Sequence, residues 1–201
     1  IWSPDVPISQ KASMNWFHSH AHGKTAQQVY KGLAGVLLIE DDESLSADLP
    51  KTYGVDDFTL VLQDKTFDKS GFLNYTLTET ALDDGFLGET LVVNGTIAPT
   101  LQVVQAGLVR LRILNACNAN FLNLSMATGP LNIIASDGGF LASTVQTDIL
   151  NMAPGERYEI LVDMRKVDIN QLLVSYELPE IDGIGGYLRE FNTRGFSSLI
   201  A

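Results

Sequence analysis

Cysteine and basic residues are both scarce in this chain of 201 residues. A single cysteine, Cys117, cannot form a disulfide within the chain, so cysteine usage does not report the redox compartment. Thirteen lysine and arginine residues stand against 24 acidic residues, for a formal net charge of −11, and they form no basic cluster. That balance argues against a nucleic-acid partner, because such a partner is bound through clustered positive charge.

Long apolar runs are also missing from the sequence. The longest, around residues 33–39, is far shorter than the roughly 20 residues that cross a bilayer as a helix, so no membrane span is expected. No signal peptide is visible, and the start at Ile1 indicates a cut within a domain. Apolar residues still make up 45% of the chain, which is enough for a packed core.

The three histidines, His18, His20 and His22, lie at i, i+2 and i+4. In a strand such side chains share one face, with the Cα atoms of successive histidines roughly 6.5–7 Å apart. Neutral imidazoles placed side by side suit a transition metal such as copper, zinc, nickel or iron. The plainer alternatives are a polar strand face with chance histidines and the remnant of a tag. Trp16 and Phe17 argue against a tag, because tags are not set into apolar strands.

Short strands at even spacing are predicted from residue 58 onward. Residues 108–114 alternate, with Val109 and Ile113 on one face and Arg110 and Arg112 on the other. Glycine, proline and asparagine turns separate the strands, and no helical period is sustained. The pattern predicts an all-β sandwich. The candidate strands are 58–63, 72–77, 90–93, 101–104, 108–114, 121–126, 131–135, 145–150, 157–163 and 171–176.

The histidine stretch belongs to a longer motif. Trp16-Phe17-His18-Ser19-His20 leads into two glycines, a buried strand and the acidic residues at 40–42. This order resembles the second His-X-His segment of the multicopper oxidases, closest to their bacterial cuprous-oxidase branch. The similarity covers about residues 14–165. Further matching segments are Val93-Asn94-Gly95, Arg110-Leu111-Arg112-Ile113-Leu114-Asn115, Ala135-Ser136-Asp137-Gly138-Gly139 and Gly155-Glu156-Arg157-Tyr158.

The resemblance implies a cupredoxin-like Greek-key β-sandwich, with one complete domain preceded by the C-terminal strands of another. Residues 1–42 would end the first domain and carry the His-X-His motif. Residues 43–57, rich in acidic residues with a proline and a glycine, would be a linker. Residues 58–201 would form a copper-free second domain with a glycine-rich tail at 177–201.

The resemblance also implies roles for individual residues. His18 and His20 are the expected metal ligands, each on a different copper of the type 3 pair in a trinuclear cluster. His22 matches a position that the family does not use as a ligand, so it is expected beside the metal rather than bound to it. Cys117 lacks flanking histidines and is expected to be a small buried residue, not a type 1 copper thiolate.

The leading expectation for function is a fragment of a multicopper oxidase. The longer parent would oxidise one-electron donors, cuprous ion or phenols, and reduce dioxygen to water at its coppers. This chain alone, without the other ligands, is expected to be inactive. The expected partners are dioxygen, a small reducing substrate, and the remaining domains or a second protomer, in the periplasm or outside the cell.

Two other functions are weighed against the oxidase. One is a copper-free cupredoxin-fold scaffold protein of the cell envelope, against which the intact His18 and His20 count. The other is a small metal-binding module that uses only the three histidines. A lone strand gives poor tetrahedral geometry, so this module ranks last. A downstream His-Cys-His segment in the complete gene would favour the oxidase over the scaffold.

Overall fold

The computed structural model describes residues 3–101, 103, 107–127, 129–166 and 172–175. Within that part of the chain, strands outnumber helices, and each α-helix has only five or six residues. The elements in chain order are β1 Ser13–His18, α1 Thr25–Tyr30, β2 Ala34–Ile39, α2 Asp42–Ser46, β3 Asp57–Lys65, α3 Glu79–Asp83, β4 Thr90–Val93, β5 Thr96–Ile97, β6 Leu108–Asn115, β7 Leu122–Met126, β8 Leu131–Ser136, β9 Gly139–Thr147, β10 Leu150–Met152, β11 Arg157–Asp163, a 3₁₀ helix Met164–Lys166 and β12 Leu172–Ser175.

Two sheets make the sandwich. The larger runs β5-β4-β3-β6-β11-β8-β9, and the smaller runs β10-β7-β12. The β3–β6 pair is parallel and the other pairs are antiparallel. Sequence neighbours often lie apart in the sheet, as Greek-key connections require. The predicted all-β, cupredoxin-like sandwich is confirmed.

Strand β6 shows how alternation builds the core. Val109, Leu111 and Ile113 are at most 1% exposed and face the smaller sheet. There they belong to one cluster with Leu122 and Leu124 of β7. Each such side chain stabilises the fold by roughly 1.5–3 kcal/mol relative to an exposed position.

The hairpin β1–β2 covers part of the outer face of the larger sheet. Met14 of β1 packs with Leu114 and Ala116, and Val36 and Leu38 of β2 lie against the same cluster. One face of β2 is therefore covered, since these two side chains pack on the sandwich.

The hairpin's other face is more open. Phe17 is 64% exposed and Leu37 is 45% exposed. Phe17 lies over Gly35, where an added Cβ would come within 2.5 Å of the ring, so a larger residue there would displace the Phe17 side chain.

Several predicted elements differ from the structure. No strand forms at 72–77, where a single bridge joins Phe67 and Leu73. The apolar side chains of Phe72, Leu73 and Leu77 stay exposed there, with no second layer from the described part of the chain packed over them. The predicted strand at 145–150 is split, since β9 ends at Thr147 and β10 begins at Leu150. The short helices were not predicted, because five or six residues hold too few turns to show a period. The strand expected at 101–104 lies partly, and the tail at 177–201 wholly, outside the described residues.

None of the helices in the described part of the chain is long and apolar enough to span a membrane.

Candidate functional site

His18 is the last residue of β1 and shares a strand face with Met14 and Trp16. The Trp16 and His18 rings lie with their centroids 4.5 Å apart. On the sandwich side, Trp16 reaches Gly155, where an added Cβ would lie 3.7 Å from its ring. The strand thus holds His18 on the sandwich-facing side of the hairpin, with its imidazole against an aromatic neighbour.

His20 continues the same side beyond the strand end. The His18 and His20 ring centroids are 5.8 Å apart, with the planes tilted by 30°. The predicted strand geometry does not extend to His22, because β1 ends at His18 and His22 begins an exposed turn before α1. The structure therefore brings two of the three imidazoles together.

The backbone sets the tautomer of neutral His18. Its Nδ1 lies 2.9 Å from the carbonyl oxygen of Ser19, and a carbonyl can only accept, so Nδ1 carries the proton. Nε2 then keeps its lone pair, as a metal ligand requires. Ser19 is itself fixed by a hydrogen bond from its hydroxyl to the Gln28 side chain.

Helix α1, which follows the histidine loop, is anchored on the sandwich. Its Val29 and Tyr30 are buried, and Gln63 of β3 donates to the Val29 carbonyl at 3.0 Å. The Tyr30 hydroxyl lies 2.8 Å from the Asn74 carbonyl and accepts from the Thr66 amide at 2.9 Å. The loop carrying His20 and His22 is therefore held at both ends.

Arg157 joins the hairpin to the sandwich, and sequence reasoning missed this role. Its Nε donates to the Met14 carbonyl at 2.9 Å, and its guanidinium pairs with Asp137 at 2.8 Å. At Gly139, an added Cβ would lie 2.6 Å from the Ala12 carbonyl oxygen, so the hairpin backbone approaches the sheet closely. The available signal was that Asp137, Gly139 and Arg157 all fall in segments matching the family.

The donor set around His18 and His20 is small. Two imidazoles on one side can reach two metal ions about 3.5–4 Å apart. Within the described residues, however, no group of three or more His, Cys, Asp or Glu side chains is placed to hold a metal ion. These residues do not by themselves fit a three-copper cluster, so no chemical step through copper is derived from them.

Cys117 is buried, as predicted, at 5% exposure. Burial, with a smaller contribution from the charge of Asp64, raises the pKa of this thiol well above its ordinary value. A neutral buried thiol is the opposite of the thiolate that a type 1 copper binds.

Comparison with known proteins places the fold in a family. The multicopper oxidase family model matches residues 15–177. The chain belongs to the multicopper oxidase family. A laccase-like multicopper oxidase, CueO from Ochrobactrum sp., superposes with a TM-score of 0.81 at 40% identity, covering 99% of this chain and 42% of that one. McoA from Aquifex aeolicus gives a TM-score of 0.77 at 38% identity, with 85% and 39% covered.

Curated relatives carry a different kind of name. The cell division protein FtsP of Xenorhabdus nematophila is 48% identical over 200 residues, which is 99% of this chain and 41% of the relative. FtsP of Escherichia coli K12 is 44% identical over 92% of this chain and 39% of its own length. The chain spans about two fifths of the length of these relatives.

These relatives overturn the leading expectation for function. The interpretation of the chain as part of an oxidase of cuprous ion or phenols that reduces dioxygen is wrong, since curated relatives at 43–49% identity are named as cell division proteins. The physical reason lies in the motif. His18 stacks on Trp16 and bonds to backbone, so a His-X-His strand end can persist through packing and indicate family without indicating activity. The relatives favour the alternative, a scaffold.

Proposed function

We propose that this chain is part of a copper-free scaffold protein of the bacterial cell envelope that acts in cell division. The observation that carries the proposal is the set of cell division relatives, which reach 48% identity over 99% of the chain. Because the chain spans about two fifths of those relatives, the role of the whole protein is part of the proposal.

The architecture suits a scaffold. A scaffold presents fixed surfaces to partners, which requires a body that does not deform. Here one continuous core joins the two sheets, and buried ion pairs tie β3, β6 and β11 together on the outer face. The hairpin and α1 are bonded onto that body through Arg157 and Tyr30.

In this proposal His18 serves packing rather than redox chemistry. His18 is held by the Trp16 ring and the Ser19 carbonyl, contacts that need no metal. The assignment of His18 and His20 to a copper pair, with His22 beside it, stays a prediction. If the site takes a metal, these imidazoles would hold one divalent ion weakly.

The domain division also stays a proposal: residues 1–42, then a linker at 43–57, then 58–201. The two-stranded sheet β1–β2 leaves Phe17 and Leu37 exposed, and the remaining domains of the longer protein would cover that face. A periplasmic or secreted location fits a cell-envelope role. The partners would then be other proteins of the division machinery rather than dioxygen and a reducing substrate.

The test is genetic complementation with a site-directed pair. Cells lacking the gene should show a division defect, scored as cell length, that the wild-type gene corrects. His18→Ala combined with His20→Ala should correct it equally at equal protein abundance, as should the control His22→Ala. A double variant that accumulates normally but fails to restore cell length would contradict the copper-free role, as would a deletion that divides normally.

A further inference from the structure

A second surface lies between β3 and β4, away from the histidines in sequence, in what we call the 66–88 segment. It carries four large apolar side chains that are 44–72% exposed. They are Phe72, Leu73, Leu77 and Leu82. Single exposed apolar residues are ordinary, but several within one short segment indicate an interaction surface.

The same segment forms a groove of about 400 Å³. Its lining is neutral, combining hydroxyl and amide groups with an apolar floor. The polar lining residues are Thr66, Asn74, Thr76, Thr78 and Thr80, and Phe86 contributes to the apolar floor. Apolar walls with a few polar groups are the usual composition of a binding site, and hydroxyls supply both donors and acceptors.

The floor of the groove is fixed by the body of the protein. The rings of Tyr30, Tyr75 and Phe86 pack together with centroids 4.7–4.9 Å apart. Tyr30 is 2% exposed, and its hydroxyl bonds to the backbone of Thr66 and Asn74 within the segment. A preformed groove loses little conformational entropy on binding.

The backbone beside the groove is open to pairing. Residues 75–77 lie outside every helix, strand and turn, and within the described part of the chain their N–H and C=O groups have no hydrogen-bond partner. An incoming chain can bond to such groups as an added strand does.

The acidic charge of this segment indicates the charge of its partner. Residues 66–89 contain one basic residue, Lys69, and several acidic residues. The acidic residues are Asp68, Glu79, Asp83, Asp84 and Glu89. This excess of acidic over basic residues in the segment favours a basic partner and disfavours a second copy of this chain, whose net charge is −11.

We infer that the 66–88 segment docks an extended apolar peptide segment, flanked by lysine or arginine, from a partner protein. Apolar side chains of the peptide would cover Phe72 and Leu82, its backbone would pair at residues 75–77, and its basic ends would meet the acidic residues of the segment. The surface rests on the proposed scaffold role for its biological setting, but peptide binding is measured independently of it.

The test is fluorescence anisotropy with a labelled peptide of alternating valine and threonine that carries two lysines at each end. We expect a Kd below about 1 mM with the wild-type chain. Phe72→Ser and Leu82→Ser should each weaken binding about tenfold. Both residues are about 70% exposed, so both variants should fold. The control Ile149→Ser, at a 57% exposed site between β9 and β10, should leave the Kd unchanged. A peptide ending in glutamates should bind about tenfold more weakly.

Four results would overturn the assignment: no binding, equal binding by all variants, tighter binding of a neutral oligosaccharide than of the peptide, or a dimer that Phe72→Ser dissolves. Failure of the division role is separable from failure of this surface. If the wild-type chain binds the peptide but the gene proves dispensable for division, the docking surface is supported and the division role is rejected. If the gene is needed for division but the chain does not bind the peptide, only the docking surface is rejected.

Discussion

At the scale of single residues, the outer face of the larger sheet carries charges where water does not reach. Arg112 donates to Asp57 at 2.8 Å and to Glu159 at 3.3 Å, and Arg110 donates to Glu159 at 2.7 Å. All four residues are at most 3% exposed. Burial alone would lower the pKa of Arg112, but the bond to Asp57 and the charge of Glu159 reverse this and raise it. The network pairs the two arginines with the two carboxylates.

The first prediction removes one charge from this network. Glu159→Gln leaves both arginines short of a buried counter-charge and should lower the free energy of unfolding by about 3–5 kcal/mol. Urea unfolding followed by circular dichroism measures this. The control, Glu89→Gln, changes an exposed carboxylate outside the network and should cost less than about 0.5 kcal/mol. A loss at Glu159 no larger than the control's would show that the network contributes little.

The second prediction concerns pH. Asp41 accepts from the Ala12 amide at 3.0 Å and from the Ser44 amide at 2.9 Å, and these bonds hold the pKa of its carboxyl below its ordinary value of 3.8. A carboxyl with a lowered pKa in the folded state adds stability above pH 3.8 that is lost as pH falls through the folded-state value. Asp41→Asn can still cap α2 but cannot titrate.

Melting temperatures from pH 6 to pH 2.5 check this. The wild-type temperature should fall more steeply below pH 4 than that of Asp41→Asn, so the gap between the two proteins narrows in acid. Parallel curves would show that Asp41 is not part of the acid response.

At the scale of elements, strands were predictable where a short run rich in β-branched or alternating apolar residues lies between turn residues. The strands at 90–93 and 157–163 were predicted with the bounds of β4 and β11, and β6 extends its prediction by one residue. The contacts of Arg157 were not predictable, because they join positions 143 residues apart through the fold. Likewise, the sequence did not reveal that β1 ends before His22, because the i, i+2, i+4 spacing of the three histidines is regular throughout.

The third prediction tests how the hairpin is held. Arg157→Lys keeps the charge but loses the forked donor geometry that bonds Met14 and Asp137 together. Amide hydrogen exchange in β1 should speed up about tenfold, while β6 exchanges as in the wild type. Arg165→Lys, at an exposed arginine that pairs with Asp163, is the matched control and should change neither strand. Equal acceleration in β1 and β6 would mean that the substitution destabilises the whole sandwich rather than the hairpin attachment.

At the scale of the whole molecule, the family of the chain does not determine its function. The fold and the local His18–His20 pair were predictable, because strand alternation and a five-residue motif are local signals. The function was not predictable, because a complete set of copper ligands would draw on residues far apart in sequence, and one pair of histidines does not report the rest. Membership in the multicopper oxidase family therefore describes how this chain folds, whereas its cell division relatives guide the proposed role.

The fourth prediction tests the copper-free role directly. The whole protein, purified after incubation with excess copper and desalted, is assayed for bound copper and for oxygen uptake with a phenolic donor. We expect less than one tightly bound copper per molecule and no sustained oxygen uptake. Any weak residual binding should disappear with His18→Ala and His20→Ala together and change less with His22→Ala. Several coppers per molecule with sustained oxygen uptake that the double variant abolishes would contradict the proposed scaffold and restore the oxidase.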